Sequence, residues 1–162
     1  GTLGSVASQG GTLGSVRFEA ESFDAITMWD VLEHLPNPKN ELEKIHKFLK
    51  NNGVLAINTP DAGSFFAKIM GKRWHLLVPP EHLVYFNPKN LAGLLKRSGF
   101  EVLLIDKMGK KFTLQYISKT LYGWQKLFVW KKLAEFFKNS KTGKLSVPIN
   151  LRDNFFIIAK KA

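Results

Sequence analysis

Two short apolar runs, Phe23–Met28 and Val54–Asn58, flank a segment that opens with Asn37-Pro38 and stops at Asn51-Asn52-Gly53. No other feature limits the fold of this chain as much. Each run is strand-sized and continuously apolar, as a strand covered on both faces must be. Asn37 reads as an N-cap whose side chain can accept from the unpaired N–H groups of the first helical turn, and Pro38 reads as the first helical residue. Leu42, Ile45 and Leu49 recur at steps of three and four, which gives one apolar helix face. Strand, helix and strand with short links make a crossover between parallel strands, so the class is α/β.

The rest of the chain repeats the pattern. After Thr59-Pro60 comes a short helix at about 64–70, then an irregular stretch, 73–86, rich in Trp, His and Pro. Asn87-Pro88 is a second cap-plus-proline start. Leu91, Leu94 and Leu95 form the apolar face, and Gly99 ends that helix. Strands are expected at Glu101–Ile105 and Asn154–Lys160. Between them the pattern predicts one long helix over about 114–139, with Ile117, Leu121, Trp124 and Phe128 on one side, and a polar loop over 140–153. The expected count is four strands in one sheet. The hexapeptide Gly-Thr-Leu-Gly-Ser-Val occurs at 1–6 and again at 11–16, so residues 1–16 read as a low-complexity lead-in and 17–162 as the folded part.

Composition excludes some classes. At 162 residues the chain is one domain long, and 44% hydrophobic content supports a core. Its longest apolar runs, such as Phe155–Ala159, are strand-sized, and residues 1–16 lack the basic start and apolar stretch of a signal peptide. With no cysteine there is no disulfide framework or thiolate site, and a cytoplasmic enzyme fits. The net charge of +11 is concentrated: Lys107–Leu145 holds ten lysines against one acid, Glu135. That stretch is either a solvated face or a surface for an anionic membrane, the favoured partner over nucleic acid.

The motifs resemble a known family. Ser22–Leu35, which reads SFDAITMWDVLEHL, is similar to the fourth strand and following turn of class I S-adenosylmethionine-dependent methyltransferases. Leu49–Val54, Ile57–Pro60 and Phe86–Val102 resemble the family's next helix–strand and helix–strand pieces, in order and at the expected spacing. Pro80–Phe86 resembles a branch that includes quinone-precursor O-methyltransferases. The resemblance implies a Rossmann-like methyltransferase fold in which the four strands match the fourth to seventh of seven. The first three strands and the glycine-rich cofactor loop would be lacking, so the chain reads as a C-terminal fragment.

The resemblance also implies a site. It brings Trp29, Asp30, Val31 and His34 towards S-adenosylmethionine, with Thr12 and Leu13 beside the adenine if the second hexapeptide is native. Ligands of parallel sheets sit at the carboxyl ends of the strands, where Trp29-Asp30 and Thr59-Pro60 fall. Asp30 could instead cap the following turn, His34 could bond only backbone, and Glu33 reads as solvated or structural. His82 is the first candidate for a general base, since an imidazole suits proton removal near neutral pH, and His75 is the second. His46 reads as a surface residue. Trp74 and Tyr85 could wall an acceptor pocket or simply pack. No His-Glu-x-x-His motif or cysteine pair is present, so no metal is expected. The functional expectation is methyl transfer to a small molecule, at oxygen. The alternative is a non-catalytic remnant or a binding module that uses its basic stretch on an anionic membrane surface or nucleic acid.

Overall fold

In the computed structural model, residues 3–5, 18–138, 140–149 and 151–162 are described. The main sheet has five strands: β1 (Leu3–Ser5), β2 (Phe23–Trp29), β3 (Leu49–Pro60), β4 (Phe100–Lys107) and β7 (Asn154–Lys161), in the order β1-β2-β3-β7-β4. The first three are mutually parallel. The last strand in sequence lies between β3 and β4 and runs antiparallel to both, so β4 points the same way as β3. The four expected strands are all present. A fifth comes from the lead-in: Leu3–Ser5 pairs in parallel with Ala25–Thr27 at the sheet edge.

Local chemistry sets the helices. In α1 (Pro38–Phe48) the Asn37 side chain accepts from the N–H of Asn40 at 3.2 Å, and Leu42 and Ile45 are buried. Leu49, expected on that face, starts β3 instead and is fully buried there. The Asn51-Asn52-Gly53 stop becomes an irregularity inside the strand. Asn52 has φ 62°, and the pairing jumps from Phe23 opposite Leu49 to Ala25 opposite Val54. Helix α3 (Pro88–Arg97) carries a full capping box between Asn87 and Asn90. It closes on Gly99 at φ 86°, a conformation a side chain resists.

The core lies where both helices meet the sheet. Phe155, Ile157 and Ala159 alternate inward along β7 against Leu55 and Ile57 of β3, and Leu42, Ile45, Leu91 and Leu95 cover them. Each large side chain fully buried this way contributes roughly 1.5–3 kcal/mol.

The expected long helix is two: α4 (Leu114–Gln125) and α5 (Phe128–Lys138). Lys126 takes the left-handed conformation, φ 53°, at the end of α4. Folding back there lets the two apolar faces cover each other, which one continuous helix would leave in solvent. The loop expected over 140–153 contains a 3₁₀ turn, Lys141–Lys144, and a strand, β6 (Ser146–Ile149), antiparallel to β5 (Lys110–Thr113). A short helix α2 (Phe65–Met70), capped by Ser64, opens the excursion after β3.

Candidate functional site

The carboxyl ends of β2 and β3 meet at Asp30. This residue sits at φ 50°, uncommon outside glycine and often a mark of a functional turn. Its N–H donates to the Asn58 carbonyl at 3.0 Å, and its carboxylate accepts from the Asn58 amide at 3.1 Å. The 3₁₀ turn that follows, Leu32–His34, has Val31 as its N-cap with no side-chain cap bond. Trp29, half exposed, stacks on Phe156 with ring centroids 5.6 Å apart.

Leu32 and Leu35 anchor the turn in the core, and Glu33, next to Leu32, is carried inward with them. Glu33 is 1% exposed, so it is not the solvated residue of one sequence reading. One carboxylate oxygen accepts from the Thr59 hydroxyl at 3.0 Å, and the other is enclosed with no hydrogen-bond partner among the described residues. Burial pushes this carboxyl above the usual range, and the Thr59 bond opposes the shift only in part. The Glu33 carbonyl accepts from the N–H groups of Leu83 at 2.8 Å and Val84 at 3.1 Å. Those two bonds tie the irregular 74–86 excursion over the turn.

That tie brings His82 onto His34. Their rings meet edge to face with centroids 4.7 Å apart. His82 Nδ1 lies 2.8 Å from the Leu76 carbonyl, and His34 Nδ1 lies 2.8 Å from the Glu81 carbonyl. A carbonyl only accepts, so both Nδ1 atoms carry a proton, and in a neutral ring the lone pair is then on Nε2. Burial lowers the His82 pKa below the ordinary imidazole value, with the Leu76 bond acting against it. Ligand atoms of Glu33, His34 and His82 all lie within 4.8 Å of one another. Two imidazoles and a carboxylate can pass or hold a proton, and they are also donors of the kind that can bind a divalent metal, which the sequence did not lead us to expect. Among the described residues this is the one such cluster.

The other candidates fall elsewhere. His75 Nε2 lies 3.7 Å from Asp153, whose same oxygen accepts from the Trp74 indole at 3.1 Å. His75 and Trp74 thus belong to a buried polar cluster under the excursion, and Trp74, 4% exposed, is a packing residue. Tyr85 stands between Trp74 and His82, at 6.4 and 6.0 Å between ring centroids. His46, expected at the surface, is half buried with its ring edge on Phe100 at 5.2 Å. Thr12 and Leu13 lie outside the described residues. Sequence reasoning put Thr59 at a ligand-bearing strand end but missed Glu33 and Asn58 as members of the site. For Asn58 the available signal was its place beside Thr59 in a polar pair that ends an otherwise apolar strand.

A largely parallel sheet with its last strand inserted antiparallel, and polar side chains gathered at the carboxyl ends of its parallel strands, is the layout of a Rossmann-like fold. Residues 6–105 match the model of a family described as a methyltransferase domain, and the chain belongs to that family. A curated relative, the ubiquinone biosynthesis O-methyltransferase of Glaesserella parasuis serovar 5 (strain SH0165), is 35% identical over 65 residues. That match covers 39% of this chain and 28% of the relative. Among solved structures, an S-adenosylmethionine-dependent methyltransferase of Thermotoga maritima superposes with a TM-score of 0.57 at 18% identity, covering 94% of this chain and 62% of that one. One from Archaeoglobus fulgidus gives 0.52 at 18%, covering 88% and 61%. These likenesses show the fold. Methyltransferases of this family use S-adenosylmethionine.

Proposed function

We propose that the protein represented by this chain transfers a methyl group from S-adenosylmethionine to an oxygen of a small molecule. The observation that carries this reading is His82, held at Nδ1 by the Leu76 carbonyl and packed edge to face on His34 in the turn after β2. The choice of oxygen draws support from the relative named as an O-methyltransferase. Residues 17–162 would form the C-terminal part of the methyltransferase domain, working in the cytoplasm. Among the described residues no helix is long and apolar enough to cross a membrane.

The cofactor would supply a methyl activated by its sulfonium, and the protein has to position and deprotonate. Trp29, Asp30, Val31 and His34 would hold it at the strand end. Asp30 is suited to this, because Asn58 fixes its carboxylate, which offers an anionic acceptor to the ammonium of the methionine part. His82 Nε2 would accept the proton of the acceptor hydroxyl, with His34 beside it and Tyr85 as a wall. Burial favours the neutral form of His82, the form a base must have before it acts.

The test is an assay with labelled methyl donor, using a chain extended to the length of its relatives and a panel of catechols, phenols and amines. Label on a phenol or catechol oxygen supports the reading. Label confined to amines overturns the oxygen assignment, and no transfer to any acceptor overturns the activity.

A further inference from the structure

The segment between β4 and β7 is a basic helical hairpin whose exposed face has the wrong chemistry for plain solvation. In α5 the half-buried residues are Trp130, Leu133, Ala134 and Phe137, spaced as one helix face turned inward. The opposite face should then be polar. It carries Phe128, Val129 and Phe136, exposed by 67%, 54% and 64%, and Leu127 in the preceding turn is exposed by 51%. Lys132 lies within this ridge, its ammonium 4.9 Å above the Phe128 ring.

The other flank of α5 is cationic. Between α4 and α5 runs a groove of about 330 Å³ lined by Lys119, Lys131 and Lys138, with Gln115, Tyr122 and Glu135. Lys126, Lys141 and Lys144 are exposed around it. An apolar ridge beside a lysine groove matches one kind of partner on both counts. The acyl boundary of a lipid leaflet accepts the ridge, and anionic headgroups complement the lysines. Nucleic acid would complement the lysines alone, leaving Leu127 and Val129 without a counterpart.

We infer that the α4–α5 hairpin is a docking surface for an anionic lipid bilayer, with Leu127, Phe128, Val129 and Phe136 entering the acyl boundary and Lys119, Lys131 and Lys138 binding headgroups. The hairpin does not span the bilayer; it lies on it. Its roots lie at the site's end of the sheet. β4 ends at Lys107 opposite Phe155, and Met108 donates to the Asn154 carbonyl, so the insertion leaves the sheet at the edge where Thr59 and Asp30 lie. This inference stands on the hairpin's own surface and does not depend on methyl transfer.

The experiment is sedimentation of the chain with vesicles of phosphatidylcholine alone and of phosphatidylcholine mixed with phosphatidylglycerol, at low and high salt. Three forms are compared with the parent. In one, Phe128 and Phe136 become Ser; in the second, Lys119, Lys131 and Lys138 become Gln; in the third, exposed lysines elsewhere, Lys39, Lys47 and Lys89, become Gln. Circular dichroism checks that all are folded. Expected is binding to the anionic vesicles that salt weakens. The first two forms should lose at least about ten-fold in affinity, and the third should keep most of it. Equal binding to neutral vesicles, no binding, or an equal loss in the third form overturns the proposal. So does an RNA oligonucleotide that binds more tightly than vesicles and ignores the Phe changes.

Discussion

Asp30 and Asn58 hold each other twice, through backbone at 3.0 Å and through side chains at 3.1 Å, across the ends of two parallel strands. The backbone bond keeps Asp30 at its positive φ, and the side-chain bond aims its carboxylate. If that carboxylate faces the cofactor, Asp30→Ala in a chain of the relatives' length should weaken binding of the demethylated cofactor by about ten-fold or more, as loss of a charged hydrogen bond implies. Asn58→Leu should weaken it less, because the carboxylate remains but is no longer aimed. Calorimetry measures both; unchanged affinity with lost turnover would take Asp30 out of the cofactor site.

His82→Ala in the same chain should lower kcat by roughly 10²–10⁴-fold, the range for losing a general base, with cofactor affinity little changed. The pH profile carries a sign. A base acts deprotonated, and burial shifts His82 below the ordinary imidazole value, so kcat should be flat at neutral pH and fall only on further acidification. The variant should lack that acid limb. An unchanged limb in His82→Ala would assign the proton to another group.

Glu33 gives a stability prediction. Its folded-state pKa is raised, chiefly by burial, so its charge opposes folding once the pH exceeds the folded value. Below the unfolded value the carboxyl is protonated in both states and the penalty is absent. Glu33→Gln keeps an acceptor for Thr59 and removes the charge. It should raise Tm by a few degrees at slightly alkaline pH, roughly 2–4 °C per kcal/mol for a chain this size, with the gain vanishing in acid. Thermal melts across pH test it, and a gain largest in acid would contradict the assignment.

Two glycines should respond in opposite directions. Gly99 has φ 86°, and an added Cβ would lie 2.7 Å from His46 Nε2, so Gly99→Ala should cost about 1–3 kcal/mol. Gly123 lies inside α4 with nothing within 4 Å of an added Cβ, so Gly123→Ala should add up to about 1 kcal/mol. Denaturant unfolding separates them. Similar losses at both positions would place α4 in a different environment.

Much of this molecule is written in local signals. Asn37-Pro38 and Asn87-Pro88 start α1 and α3 because a short polar side chain and a fixed φ act within one turn, whatever surrounds them. The strands β2, β3, β4 and β7 were legible as apolar runs, and Asp30 as the residue at a strand end, since these too depend only on neighbours in sequence. Tertiary structure decided the rest. Whether Leu49 closes a helix or opens a strand, and whether residues 114–138 make one helix or two, depends on which apolar faces find cover. Glu33 became a buried carboxyl because Leu32 and Leu35 on either side are drawn into the core. His82 reached His34 because the Glu33 carbonyl takes two N–H groups of the excursion, while His75 was drawn to Asp153. Burial and long-range hydrogen bonds fix these environments, and neither can be read from spacing along the chain.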